Sequence, residues 1–221
     1  MFFPLRALIR RNGFPVVTLV LIIVNTLCFL FSRILTPYGQ QALIYHYALI
    51  PDHLHLSSLV TSMFLHGGWL HLIGNMLFLW AFGSNVEDAL GAVKYIIYYL
   101  ACGVAAAVVH LVFNLGSPIP TIGASGAIAG VMGGFLLLYP RARILTLVFI
   151  IFFVTTIEVP AALLLLYWFA IQIFSGLFSF SRLADAGNVA WFAHIGGFLA
   201  GMLMLSAFLG GRTRRTNYYY R

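Results

Sequence analysis

The chain has 221 residues, 62% of them hydrophobic and 8% charged, with a formal net charge of +7 and a mean hydropathy of +1.00. A water-soluble domain carries about 25% charged residues, so this composition excludes a soluble globular protein and makes the bilayer the natural solvent. The Lys and Arg residues are spread along the chain rather than gathered in one patch, which argues against a nucleic-acid partner.

At about 20 residues per span, hydropathy and Gly/Pro punctuation predict six helices, near 15–32, 69–83, 94–113, 125–139, 160–178 and 192–209. The expected fold is an all-α six-helix membrane bundle over 15–209, with an N-terminal flank 1–14 and a C-terminal tail 210–221. The first apolar run is long for a secretion signal, and no small-x-small cleavage site follows it, so the first helix is expected to remain. A turn is expected at Pro37-Tyr38-Gly39, and His46, His53 and His55 read as solvated loop residues. No carboxylate or Cys pattern accompanies them, so no metal is expected, and no cofactor. Cys28 and Cys102 lie in apolar runs and read as small buried residues without a disulfide. Segment 144–156 is short, apolar and rich in β-branched and aromatic residues, and reads as a membrane-dipping or interfacial stretch rather than a seventh span.

Charge placement supports that choice. With both termini in the cytoplasm, ten of the twelve Lys and Arg residues fall inside and only Arg33 and Arg182 outside, as the positive-inside rule asks. A seventh span would put the Arg-rich tail outside. Under this topology helices two, four and six all begin on the outer side. His71 and Asn75, Ser125, and His194 therefore share one depth just below that surface, where a polar side chain is costly and signals function. Helix four spans only about 22 Å against a hydrocarbon core of about 30 Å, which submerges Ser125 and asks for a wet cavity opening outward. Gly126, Gly130 and Gly134 recur every four residues on helix four, and Gly197 and Gly201 on helix six, stripes that let two helices approach closely and bring Ser125 toward His194. Generic packing is the competing reading of the stripes. A helix cap is the competing reading of Ser125, and a packed core residue that of His194.

The run Gly123-Ala124-Ser125-Gly126, with Ala127-Ile128-Ala129-Gly130, closely resembles the rhomboid proteases. So do Ala193-His194-Ile195-Gly196-Gly197 with Gly201, and the stretch from Met63 through His66-Gly67-Gly68-Trp69-Leu70-His71 to Asn75. The resemblance covers roughly 10–210 and implies Ser125 as nucleophile, His194 as general base, and Asn75 with His71 as oxyanion stabilisers. Gly123 belongs with the small residues packed at the site. The resemblance further implies a lateral gate at helix five. His66 matches a loop histidine of the family and reads as packing. Two departures stand out: Ala129 occupies the place where many relatives stack a Tyr on the histidine, and the Trp-Arg pair of some first outer loops is missing.

Of five acids, Glu87, Asp88 and Glu158 fall on the expected cytoplasmic side and Asp52 and Asp185 in outer loops, so a Ser–His dyad is the economical reading, with Asp185 the remaining candidate third member. His110 reads as a structural residue. The expected activity is endopeptidase cleavage of transmembrane segments of other proteins, at a site open to the outer side of a bacterial-type plasma membrane. The alternatives are a non-catalytic rhomboid-like protein that binds transmembrane helices and, less favoured by the scarcity of buried acids, a small transporter.

Overall fold

A computed structural model describes residues 2–150, 153–181 and 190–209; Arg182, Asp185 and the tail 210–221 fall outside the described residues. Helix α1 (Val16–Ile34) follows the first apolar run. Pro15 precedes it and offers no side-chain acceptor, yet its free N–H groups are satisfied from far along the chain. Glu87 accepts from the backbone N–H groups of Val17 and Thr18 at 2.8 Å and from the Thr18 hydroxyl at 2.7 Å, while Asp88 accepts from the Asn12 and Gly13 N–H groups. Negative charge at a helix start also meets the positive end of the backbone dipole.

The expected turn at Pro37 is instead the first turn of a helix, α2 (Pro37–Tyr47). The Thr36 hydroxyl accepts from the Gly39 N–H at 3.2 Å, and Pro37 sits where a missing N–H costs nothing. A short α3 (Ser58–Thr61) leads through a 3-10 turn to the next helix. That helix runs past its expected end at 83: α4 (Trp69–Phe78) passes through a π-helical turn, Leu79–Gly83, into α5 (Ser84–Leu90), and Gly91 stops it at φ +80°. The remaining helices are α6 (Ala92–Phe113), α7 (Ser125–Leu138), α8 (Ala161–Ser181) and α9 (Trp191–Leu209).

Among the described residues, α1, α6, α8 and α9 are long and apolar enough to cross a bilayer, and α7 is a shorter apolar helix. The π-helical turn divides the second expected span, so the count of six is not confirmed by length and composition. Large apolar side chains stand exposed along these helices, among them Ile23 and Leu27 on α1 and Leu163, Leu166 and Phe174 on α8. Such a surface suits lipid and not water.

The all-α expectation is corrected at segment 144–156. That segment belongs to a β-hairpin, β2 (Arg143–Ile150) and β3 (Phe153–Pro160), and β2 also pairs with β1 (Phe2–Ala7) in an antiparallel sheet of order β1-β2-β3. Ile144, Thr146 and Val148 are buried in alternation along β2, the period of two that a half-buried strand requires. The N-terminal flank is therefore partly a strand, and its partner lies some 140 residues away. Cys102 is buried and Cys28 half-buried, both as free thiols.

At the centre, α7 lies against α6 and α9. From Gly126 to Leu136 every residue of α7 is buried. A methyl group on Gly197 would run into the Gly126 carbonyl, and one on Gly201 into the Gly130 carbonyl, so these two helices touch backbone to backbone. The Tyr98 hydroxyl of α6 reaches the Gly130 and Gly201 carbonyls at 3.1 and 2.8 Å and ties the three helices together. The expected stripe on α7 needs a correction: Gly126, Gly130 and Gly134 face α6 first, at Ala106, Cys102 and Tyr98, the first two lying beside α9 as well, and it is Gly133 that faces α9 directly, at the Phe198 carbonyl. A helix buried on all sides needs small residues on more than one face.

Candidate active site

Ser125 is the first residue of α7, and the cap position belongs to Ala124, which makes no side-chain cap bond. The competing reading of Ser125 as a cap is thus set aside, and its hydroxyl points elsewhere. Ser125 Oγ lies 2.7 Å from His194 Nε2 on α9. The glycine contacts explain how two residues 69 apart in sequence meet: with Gly126 against Gly197, the positions one residue earlier on α7 and three earlier on α9 face each other.

The loop leading to Ser125 is fixed at several points. Leu49 and Thr121 exchange backbone hydrogen bonds at 3.0 and 2.8 Å, and the Gly123 N–H donates to the Ser62 carbonyl at 2.9 Å. His110, in the last turn of α6, braces this loop: its Nε2 is 2.8 Å from the Thr121 hydroxyl, and Asn114 Nδ2 donates to its backbone carbonyl at 2.8 Å.

Gly123 lies ahead of α7 rather than in the helix seam, which corrects its expected packing role. Its φ of +124° is open to glycine and strained for other residues, and a methyl there would come 2.7 Å from His71 Nε2 and 3.6 Å from Asn75 Nδ2. His71 and Asn75, one turn apart on α4, therefore stand beside the turn that delivers Ser125. Asn75 is buried, and its Nδ2 has no hydrogen-bond partner among the described residues. A buried donor without a partner is costly, and this one lines the same opening as the serine. Ser125, His194, His71 and Asn75 all border one cavity of about 350 Å³, whose remaining wall is largely apolar, with Phe78, Ile128, Met132 and Trp168. His66 packs its ring edge-on against His71, 5.2 Å between centroids.

Two neighbours of His194 escaped the sequence reading. Gln172 of α8, only 4% exposed, places Oε1 2.7 Å from His194 Nδ1, and Trp168, one turn earlier, has its ring 5.7 Å from the imidazole. The Trp168 ring lies beside the imidazole here, where the buried Ala129 offers no ring of its own. The signal was available: Gln172 is an amide in the middle of an apolar span, and the cost of a polar group at that depth applies to helix five as much as to helix starts. Asp185, the candidate third member, lies outside the described residues.

Comparison with known proteins matches the rhomboid domain over residues 53–211. The chain is 38% identical over 96 residues to Rhomboid protein 1, mitochondrial, of Saccharomyces cerevisiae, covering 42% of this chain and 28% of the yeast protein. It is 42% identical over 78 residues to Rhomboid protease GluP of Bacillus subtilis, covering 35% of this chain and 15% of that protein. It is 32% identical over 146 residues to RHOMBOID-like protein 6, mitochondrial, of Arabidopsis thaliana, covering 66% and 41%. The chain thus spans less than half the length of each of these relatives. Two of the three are named as mitochondrial, so the expected bacterial plasma membrane draws no support from them. With its motifs on α4, α7 and α9 inside the matched region, the chain belongs to the rhomboid family.

Proposed function

We propose that this protein is an intramembrane serine endopeptidase that cleaves transmembrane segments of other membrane proteins with Ser125 and His194. The observation that carries the reading is the 2.7 Å contact between the Ser125 hydroxyl and His194 Nε2, made by two separate helices at the floor of one cavity. A serine hydroxyl is a poor nucleophile until a neighbouring base takes its proton. In the proposed reaction Ser125 Oγ attacks the scissile carbonyl as its proton passes to His194 Nε2. The carbonyl π-bond electrons move to the oxygen, and the unpartnered Asn75 Nδ2, with His71, donates to that oxyanion. Collapse breaks the C–N bond, and the proton on His194 goes to the departing amine. Water then repeats the sequence on the acyl-enzyme, restoring Ser125 and freeing the new carboxylate.

The reach of the site suits a segment that unwinds locally beside it, with small or helix-breaking residues near the cut. The positive-inside count supports a cavity open toward the outer side, with both termini in the cytoplasm. GluP, one of the relatives, carries the name protease.

The test is covalent labelling. A fluorophosphonate probe should attach to the detergent-solubilised chain and fail on its Ser125→Ala variant, and proteoliposomes should cleave a co-reconstituted transmembrane substrate. A folded wild-type chain that neither reacts nor cleaves would leave the alternative, a rhomboid-family protein that binds transmembrane helices without cutting them.

A further inference from the structure

We infer that Gln172 is a positioning residue for His194, so that α8 takes part in arming the site as well as in walling it; this rests on the dyad reading above. The argument is one of donors and acceptors. Gln172 Nε2 donates to the Trp168 carbonyl one turn back, at 3.3 Å, which leaves Oε1 as the atom facing His194 Nδ1 at 2.7 Å. A carboxamide oxygen only accepts, so Nδ1 carries the proton. In a neutral imidazole Nε2 is then the unprotonated nitrogen, and it is Nε2 that lies 2.7 Å from Ser125 Oγ. The chain of bonds runs in one direction, from the serine hydroxyl to Nε2 and from Nδ1–H to the amide oxygen. That is the tautomer a general base needs, held here by a neutral amide where most serine hydrolases use a carboxylate.

The competing reading is that Gln172 is a clasp between α8 and α9 with no bearing on the reaction, since amides commonly bond across helices in membranes. Geometry sets that reading at a disadvantage. A clasp would be free to accept from any donor on α9, whereas this one meets the single ring atom that decides which nitrogen faces the serine. Trp168, four residues earlier and so on the same face of α8, bears on the same imidazole.

The test compares the full chain with Gln172→Leu, of similar volume without the acceptor, and Gln172→Glu, which keeps it. Fluorophosphonate labelling of Q172L should slow by about 10- to 100-fold, less than the roughly 10⁴-fold loss when a carboxylate orienter is removed. Its melting temperature should stay near that of the wild type, and Q172E should recover most of the rate. Nitrogen-15 spectra of histidine-labelled protein should show one ring, absent from His194→Ala, protonated at Nδ1 and not at Nε2; in Q172L that ring should become a mixture of tautomers. Q172L labelling at the wild-type rate, or Q172L and Q172E slowed equally, would overturn the inference. Should Q172L fail to fold, a wild-type spectrum with Nδ1 bare would do the same. Wild-type protein that folds but never labels at Ser125 would sink the protease reading instead, and the two failures are distinguishable.

Discussion

The seam between α7 and α9 and the face of α8 toward the cavity are two opposite ways of packing a helix. On α7 every residue from Gly126 to Leu136 is buried, and the contact with α9 is backbone against backbone. On α8 only a narrow stripe is covered, including Ala161, Leu165 and Gln172, while Leu163, Leu166, Tyr167 and Phe174 stand exposed. The seam has no room for adjustment, and it is the seam that fixes how far Ser125 stands from His194. Helix α8 has room, yet it holds the imidazole from behind through one hydrogen bond. Distance within the dyad and orientation of its base thus fall to regions packed in very different ways.

Removing the product of the seam should have the largest effect. His194→Ala should lower cleavage on the order of 10⁴-fold or more, and combining it with Ser125→Ala should cost little extra, because residues acting as one unit are not additive; rates in proteoliposomes read this directly. Asn75→Ala comes next, since Asn75 belongs to neither region: a loss of about 10²- to 10³-fold in rate at unchanged melting temperature is expected for one missing oxyanion donor. Full activity in that variant would remove Asn75 from the site. Gly201→Val then tests the seam itself. The added carbons meet the Gly130 carbonyl, so denaturant titration in detergent should show a loss of about 1–3 kcal/mol, with activity falling in parallel. An unaffected Gly201→Val would erase the contrast between the two regions. Smallest is Leu166→Ala on the outward face of α8, expected to stay within about 0.5 kcal/mol by the same titration.

How much was legible in the sequence follows the range of the interactions. The helices announce themselves through local hydropathy, and α1, α6 and α9 lie close to their expected limits. The convergence of Ser125 with His194, and the position of Asn75 beside Gly123, could be approached because glycine spacing and depth are read within single helices. The sheet could not. The β-branched residues of β2 were visible, but their partner β1 sits at the far end of the chain, and nothing local links Phe2 to Val148. Likewise Glu87 and Asp88 read only as charges on the expected cytoplasmic side, whereas Glu87 closes the first turn of α1 and Asp88 holds Asn12 and Gly13 just before it. Gln172 is hidden for a different reason: the polar residues that mark the site in the sequence stand near helix starts, and this one sits in mid-helix.

The shortness of α7 carries a consequence for the surrounding membrane. Its 14 residues extend about 21 Å, well under the thickness of hydrocarbon, but neighbouring helices and the loop before Ser125 enclose it almost wholly. The length that α7 lacks is made up by other parts of the protein, so this helix has no need to match a bilayer on its own. The position of Ser125 between α6 and α9 is thus a dimension built into the protein, set by contacts inside the bundle and not by the length of the helix that carries it.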